Sequence, residues 1–222
     1  MVDSILLVTV LLLGSYLLGS IPTGYLLGRW LKGIDIREYG SGSTGATNVL
    51  RTLGKGPGLL VLLVDVGKGA LAIALIRWVC SPNFVLLPPE ILSPDWIDWI
   101  VISGSLAAIL GHSKPLWLSF KGGKSVATSL GILLALDWRI GLATLGVFGL
   151  VIALSRWVSL SSISAAIALP LLMLGFAQPL PYLLFALVGS GYVIGRHRSN
   201  IQRLLAGTEP RLGETAPELS SE

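Results

Sequence analysis

Long apolar runs separated by short polar stretches make up most of this chain. The runs fall near 4–28, 57–79, 97–112, 125–137, 139–155, 159–177 and 181–195. A helix that crosses a bilayer needs about 20 consecutive apolar residues. The first, second and sixth runs approach that length, and the other four are shorter. A short run is either half-inserted or lengthened by polar flanks buried among neighbouring helices. The interruption Asp137-Trp138-Arg139 leaves two readings, seven spans or five spans with a re-entrant hairpin, and seven is preferred. The predicted fold is an all-α integral membrane protein of seven transmembrane helices, forming a single unit over residues 1–207. Residues 208–222, rich in Glu, Pro and Ser, are expected to form a disordered tail.

Composition agrees with this pattern. Of the 222 residues, 53% are hydrophobic and 13% charged, against about 25% charged in an ordinary soluble domain. The opening Met1-Val-Asp-Ser4 lacks the positive region and small-residue cleavage site of a signal peptide, so the first run reads as a retained span. Cys80 is the sole cysteine, which excludes intramolecular disulfides and multi-cysteine metal sites. No metal or cofactor is expected. The net charge of +4 comes without a basic tract interleaved with aromatics, which argues against nucleic acid as a partner.

Charge also orients the chain. With seven spans, one side holds Arg29, Lys32, Arg37, Arg51, Lys55, Lys114, Lys121, Lys124, Arg156, Arg196, Arg198, Arg203 and Arg211, most of the 16 basic residues. The other side holds Arg77 and Arg139, and Lys68 lies within a span. The positive-inside tendency puts the N-terminus outside and the C-terminus in the cytoplasm. The outer loop near 80–98 carries Glu90, Asp95 and Asp98 with Pro82, Pro88, Pro89 and Pro94, and reads as a structured cap or interfacial segment.

Three stretches then share the cytoplasmic face, each with chemistry suited to phosphoryl oxygens. In Ser41-Gly-Ser-Thr-Gly-Ala-Thr-Asn-Val-Leu-Arg51, Gly42 and Gly45 permit close backbone approach. Ser41 and Thr47 offer hydroxyls, Asn48 an amide, and Arg51 a bidentate fork. Gly111-His112 ends the third run, and Lys121-Gly122-Gly123-Lys124-Ser125 opens the fourth. Two glycines and a lysine at a helix start form an anion receptor. Leu118 stands where a nucleotide-binding P-loop requires glycine, so an NTPase is disfavoured. After the last run, Arg196-His197-Arg198-Ser199-Asn200 places His197 and Asn200 three apart on one helix face. Ser161 and Ser162 lie at the same level and could add hydroxyls. Asp65 and Lys68 form an acid–base pair inside an apolar helix, where ionisable groups are costly and tend to be functional or to lock packing.

What is missing narrows the chemistry. Trp117 and Gln202 stand where a His-x-x-x-x-Asp acyltransferase motif would need aspartate after His112 or His197. Acids on the cytoplasmic side are few, Asp35, Glu38 and those of the tail, so a Ser-His-Asp triad is hard to assemble. Electrostatic clamping and positioning are left as the means of any group transfer.

Taken in order, the three stretches resemble the motifs of the bacterial integral-membrane glycerol-3-phosphate acyltransferases that use acyl phosphate as donor. The likeness runs through Phe120-Lys-Gly-Gly-Lys-Ser-Val-Ala-Thr128 and Arg196-His-Arg-Ser-Asn-Ile-Gln-Arg-Leu-Leu-Ala-Gly207 and spans nearly the whole chain. It implies transfer of an acyl group from acyl phosphate to glycerol 3-phosphate, giving 1-acyl-glycerol 3-phosphate (lysophosphatidate) and phosphate, the first acylation of phospholipid synthesis. The resemblance further implies a seven-helix fold in the bacterial cytoplasmic membrane, chemistry on the cytoplasmic face among membrane lipid, and a companion enzyme that forms acyl phosphate. By position it assigns Ser41 and Arg51 to an essential pair, the Lys121–Lys124 turn to a phosphate site, and His197 with Asn200 to the third motif. Departures are Ser43-Thr44, Lys114 and Ser125, the last where glycine is usual. Two rivals come from other classes. An anion transporter should carry charges deep in several spans, where here only Asp65 and Lys68 lie. A metal-dependent lipid-phosphate transferase should show clustered aspartates, which the sequence lacks.

Overall fold

A computed structural model of the chain describes residues 2–81 and 93–214. Ten α-helices run through the described residues: α1 (Val2–Gly19), α2 (Thr23–Lys32), α3 (Ala46–Leu53), α4 (Lys55–Val79), α5 (Pro94–Ser113), α6 (Val126–Leu136), α7 (Trp138–Ser155), α8 (Val158–Gly175), α9 (Leu180–Arg196) and α10 (Arg198–Leu205). Five stretches are long and apolar enough to cross a membrane by length and composition: Ile5–Lys32, Lys55–Val79, Asp95–Leu118, Trp138–Ser155 and Val158–Gly175. Val126–Leu136 and Leu180–Arg196 are apolar but shorter.

The first run is not one straight helix. It breaks between Gly19 and Thr23, because Pro22 has no N–H to give the ladder and biases Ile21 away from helical geometry. Asp95 and Asp98 lie inside the first turns of α5, so that helix is longer than its apolar run, and Pro94 starts it where a missing N–H costs nothing. Much of the expected outer cap, including Pro82, Pro88, Pro89 and Glu90, lies outside the described residues.

The 11 residues of α6 span only about 16 Å, roughly half a hydrocarbon layer. The helix ends at the Asp137 break, where two of its last carbonyls would be left without partners. Arg77 of α4 supplies them: its guanidinium donates to Ala135 O and Leu136 O. Asp137 then starts α7 by accepting from the Arg139 N–H at 2.9 Å.

Lipid removes the hydrophobic drive between helices, so association rests on close packing. The α4–α6 contact depends on two absent side chains. A Cβ at Gly69 would strike Thr128 O, and one at Gly131 would strike Val66 O. The main core gathers Ile73, Ile76, Val101, Ile109, Ile132 and Phe185 from α4, α5, α6 and α9. A smaller cluster of Leu27, Ile36, Val49 and Val61 underlies the Ser41–Arg51 loop.

The tail corrects its sequence expectation over residues 208–214. Pro210 O accepts from Arg51 Nη2 at 3.1 Å, Leu212 N–H donates to Arg156 O at 2.7 Å, and Arg211 stacks over the Trp157 ring. Basic and aromatic groups on α3 and at the α7–α8 turn thus hold a segment whose composition alone suggested disorder. Residues 215–222 lie outside the described residues.

Candidate active site

The Ser41–Arg51 loop is organised by one buried amide. Asn48 Oδ1 accepts from the Ser41 N–H at 2.9 Å, and Nδ2 lies within 3.0 Å of the carbonyls of Ile36, Tyr39 and Ser43. Before it, Asp35 caps a 3₁₀ turn at Ile36–Glu38 and pairs with Arg37, whose Nη1 donates to Leu118 O at 3.0 Å. That bond ties the first loop to the loop that carries Lys121–Ser125.

The second loop is built by close approach. Gly122 N–H donates to Ser113 O at 3.2 Å and Gly123 N–H to His112 O at 3.1 Å. A Cβ on Gly123 would collide with His112 Nε2, and one on Gly122 with His112 O. These N–H groups are therefore spent on the end of α5. The two glycines thereby hold the turn against the end of α5, one residue before Lys124. Arg196 Nη2 holds Gly123 O from the far side at 3.1 Å. Ser125 opens α6 at φ 64°, with its Oγ donating to Ile109 O at 2.9 Å.

These loops and the start of α10 enclose one cavity of about 550 Å³. Its polar end is lined by Ser41, Gly45, Thr47, Asn48, Arg51, Lys124, Ser125, His197 and Asn200, with Ser162 and His112 further in. Leu59, Leu62, Leu130, Leu145, Phe148 and Ile152 line an apolar remainder between α4, α6, α7 and α8. Gly42, Lys121, Gly122, Gly123 and Ser161 do not line it. Lys121 is exposed, and Ser161 Oγ donates to Trp157 O.

A single chain of hydrogen bonds crosses the polar end. Lys124 Nζ donates to Asn200 Oδ1 at 2.6 Å, Asn200 Nδ2 to Glu209 Oε1 at 2.7 Å, and Arg203 Nε to Glu209 Oε2 at 2.7 Å. Glu209 was not among the sequence candidates. The signal for it was its place two residues beyond Gly207, the end of the third motif. Burial pushes its carboxyl up, but the adjacent Ser159 hydroxyl and the bonds from Asn200 and Arg203 outweigh that and hold it below the usual range.

The cations there are not neutralised. Arg51 is half-buried, burial lowers its pKa, and its Nε has no hydrogen-bond partner. Among the described residues neither Arg51 nor Lys124 makes an ion pair within 4.0 Å, while Glu209 is taken by Arg203. Burial, with the nearby Arg203, Arg196 and Arg51 charges only partly offset by Glu209, pushes the Lys124 ammonium down to about 8. Burial likewise pushes His197 down to about 4. Its ring is therefore neutral at pH 7. Nδ1 lies 2.8 Å from the Val193 carbonyl, which can only accept, so Nδ1 carries the proton and Nε2 is left as an acceptor. The arrangement sets two cations without ion pairs among the described residues at the mouth of an apolar groove.

Comparisons with known proteins show the family to which the chain belongs. Residues 9–207 match the family described as glycerol-3-phosphate acyltransferase. The chain is 62% identical to the glycerol-3-phosphate acyltransferase of Acaryochloris marina over 207 residues, 92% of each chain. It is 61% identical to that of Nostoc sp. over 202 residues, 90% of this chain and 89% of the relative. Among solved structures it is similar to PlsY (YgiH), an integral membrane glycerol 3-phosphate acyltransferase. The glycerol 3-phosphate form aligns with TM-score 0.82 at 39% identity, covering 93% of this chain and 96% of that one. The lysophosphatidic acid form aligns with TM-score 0.78 at 38% identity, covering 92% and 94%.

Proposed function

Because the chain belongs to the glycerol-3-phosphate acyltransferase family, and is an integral membrane acyltransferase of phospholipid synthesis, we propose that it moves an acyl group from acyl phosphate to glycerol 3-phosphate. The products are 1-acyl-glycerol 3-phosphate and inorganic phosphate. The observation that carries this reading is the pair Arg51 and Lys124, two cations without a carboxylate partner among the described residues, at the polar end of an apolar groove. A donor with its charge at one end and its chain at the other satisfies both halves of the cavity at once.

In the proposed reaction the acyl chain lies against Leu62, Leu130 and Phe148 while Arg51, Lys124 and Ser41 hold the phosphates. The 1-hydroxyl oxygen of glycerol 3-phosphate attacks the acyl carbonyl, the new C–O ester bond forms, and the bond from the carbonyl carbon to the phosphate oxygen breaks. Neutralised phosphate is already a good leaving group, so no covalent enzyme intermediate is required. The hydroxyl proton passes to His197 Nε2 or to a phosphoryl oxygen. The second ionisation of a phosphate monoester lies near pH 6, above the value of about 4 at His197, which favours the phosphoryl oxygen. His197 Nε2 is then left to accept a hydrogen bond from the neighbouring 2-hydroxyl, which orients glycerol 3-phosphate for the attack.

The membrane arrangement belongs to the same proposal: seven spans, the N-terminus outside, the C-terminus and the site on the cytoplasmic side of the bacterial inner membrane. The basic-residue asymmetry supports it, and so do exposed tryptophans at two levels. Trp30 and Trp117 mark one interface, and Trp78, Trp96, Trp99 and Trp138 the other. A separate enzyme that forms acyl phosphate would supply the donor. Purified protein given labelled glycerol 3-phosphate, with acyl phosphate or acyl-coenzyme A and without added metal, tests the reading. Product from acyl phosphate alone is expected, and product from acyl-coenzyme A alone overturns the donor assignment.

A further inference from the structure

Asp65 and Lys68 are buried in the middle of α4, 2% and 5% exposed, with Lys68 Nζ 2.8 Å from Asp65 Oδ1. Removing two charges from water is expensive, and a buried pair is weak support for stability on its own. Packing does not require it, since the α4–α6 approach is secured by Gly69 and Gly131. Lys68 has a second task. Its Nζ donates at 2.9 Å to Ile21 O, at the break between α1 and α2.

Asp65 has a second neighbour as well. Its Oδ1 lies 3.6 Å from His112 Nδ1, and both side chains line the cavity. The opposite edge of that imidazole, Nε2, occupies the space a side chain on Gly123 would need. His112 O also receives the Gly123 N–H. The ring and carbonyl of His112 thus form the floor under the residue that immediately precedes Lys124. On the other side, Arg196 Nη2 holds Gly123 O. The turn is clamped between an imidazole and a guanidinium, and the carboxylate faces the imidazole from behind.

We infer that Asp65 is a positioning residue for the acyl transfer, holding His112 against Gly123 so that the turn presents Lys124 to the substrate phosphate. Lys68 neutralises Asp65 and anchors the pair to the α1–α2 break. The inference rests on the acyltransferase reading above. It deepens that reading by tying a charged pair at mid-helix to the phosphate clamp. Nothing in it requires Asp65 or Lys68 to touch substrate.

The test is a double-mutant cycle on purified protein, with acyl phosphate and labelled glycerol 3-phosphate. Asp65→Asn and His112→Gln are measured singly and together, each for kcat and for thermal unfolding. A misplacement on the ångström scale at a reacting centre costs about 100-fold in rate, so each single variant is expected to lose kcat by about that factor. The double variant is expected to be no worse than the weaker single. Asp65→Asn/Lys68→Met, which leaves no unpaired buried charge, keeps the question answerable if Asp65→Asn does not fold. It is expected to unfold near the wild-type temperature yet keep the loss of kcat. Wild-type kcat in Asp65→Asn/Lys68→Met, or losses that multiply across the Asp65–His112 cycle, overturns the inference. An inactive wild-type protein would instead overturn the acyltransferase reading, so the two failures are distinguishable.

Discussion

Lys124 Nζ donates to Asn200 Oδ1 at 2.6 Å across 76 positions of sequence. This bond joins the second polar stretch to the third, and its partners lead on to Glu209 and Arg203. Asn200 is matched to the place because an amide can accept from the ammonium and donate to the carboxylate at the same time. An aspartate there could serve only the first task and would set two carboxylates side by side. Asn200→Asp is expected to lower kcat/KM by about 100-fold, more than Asn200→Ser, because repulsion is added to the lost bond. Steady-state rates of the two variants check the order.

Lys124 is held down to about 8, and only its protonated form attracts phosphate. Anion binding stabilises that form and raises its pKa, so binding draws in a proton once the pH exceeds about 8. The KM for glycerol 3-phosphate is therefore expected to climb as pH rises through 8, by up to about tenfold per pH unit. Lys124→Arg, charged throughout this range, should flatten the climb even where its rate is lower. Initial rates between pH 6.5 and 9.5 measure both. For folding the sign is opposite. The ordinary lysine pKa lies higher, so between about 8 and that value the unfolded chain binds more protons, and this group's contribution to stability rises with pH.

Arg51 reaches Pro210 O through Nη2 and leaves Nε buried without a partner. A guanidinium can bond the tail carbonyl and still offer a second N–H to a phosphate, whereas a lysine supplies one point charge. Arg51→Lys is expected to cut kcat/KM by about 100-fold, of which charge loss explains nothing. Full activity in that variant would show that the fork is not used.

The sequence made the polar half of the site legible because its chemistry is local. Glycines, hydroxyls, Arg51, Lys124, His197 and Asn200 stand in three compact stretches, each beside an apolar run. Two roles could not be read this way. Gly122 and Gly123 look like free N–H donors in sequence, and only the approach of His112 reveals that they are small so that α5 can touch the turn. Glu209 sits in a stretch whose composition suggests disorder, and its partners Asn200 and Arg203 become visible once α10 turns them toward it. The break of the first run at Pro22 was readable from that residue alone. The truncated α6 was not, because its cap comes from Arg77, 58 positions from Ala135.

Glu209 should be needed for the fold of the site. Its folded pKa is depressed, so it contributes stability above the ordinary glutamate range, lost as pH falls through the folded value. Glu209→Gln is expected to unfold at a lower temperature than wild type at pH 7. The gap should narrow in acid as the native carboxyl gains its proton. Thermal unfolding in detergent at pH 7 and pH 4 tests this, and an equal gap at both values would remove the carboxylate from the account.

Ser125 sets two effects against each other. It sits at φ 64°, a left-handed conformation that costs a non-glycine residue about 1–2 kcal/mol, so Ser125→Gly relieves strain there. The same change deletes the bond from Oγ to Ile109 O at 2.9 Å, worth about 1 kcal/mol net. That carbonyl does not become an orphan, since Ser113 Oγ also donates to it at 2.7 Å. The two terms nearly cancel, and Ser125→Gly is expected to unfold within a few degrees of wild type. Ser125→Ala keeps the strain and loses the bond, so it should be the less stable of the two. Thermal unfolding of the pair decides it, and an alanine variant as stable as the glycine one would mean that the left-handed backbone at the start of α6 costs little.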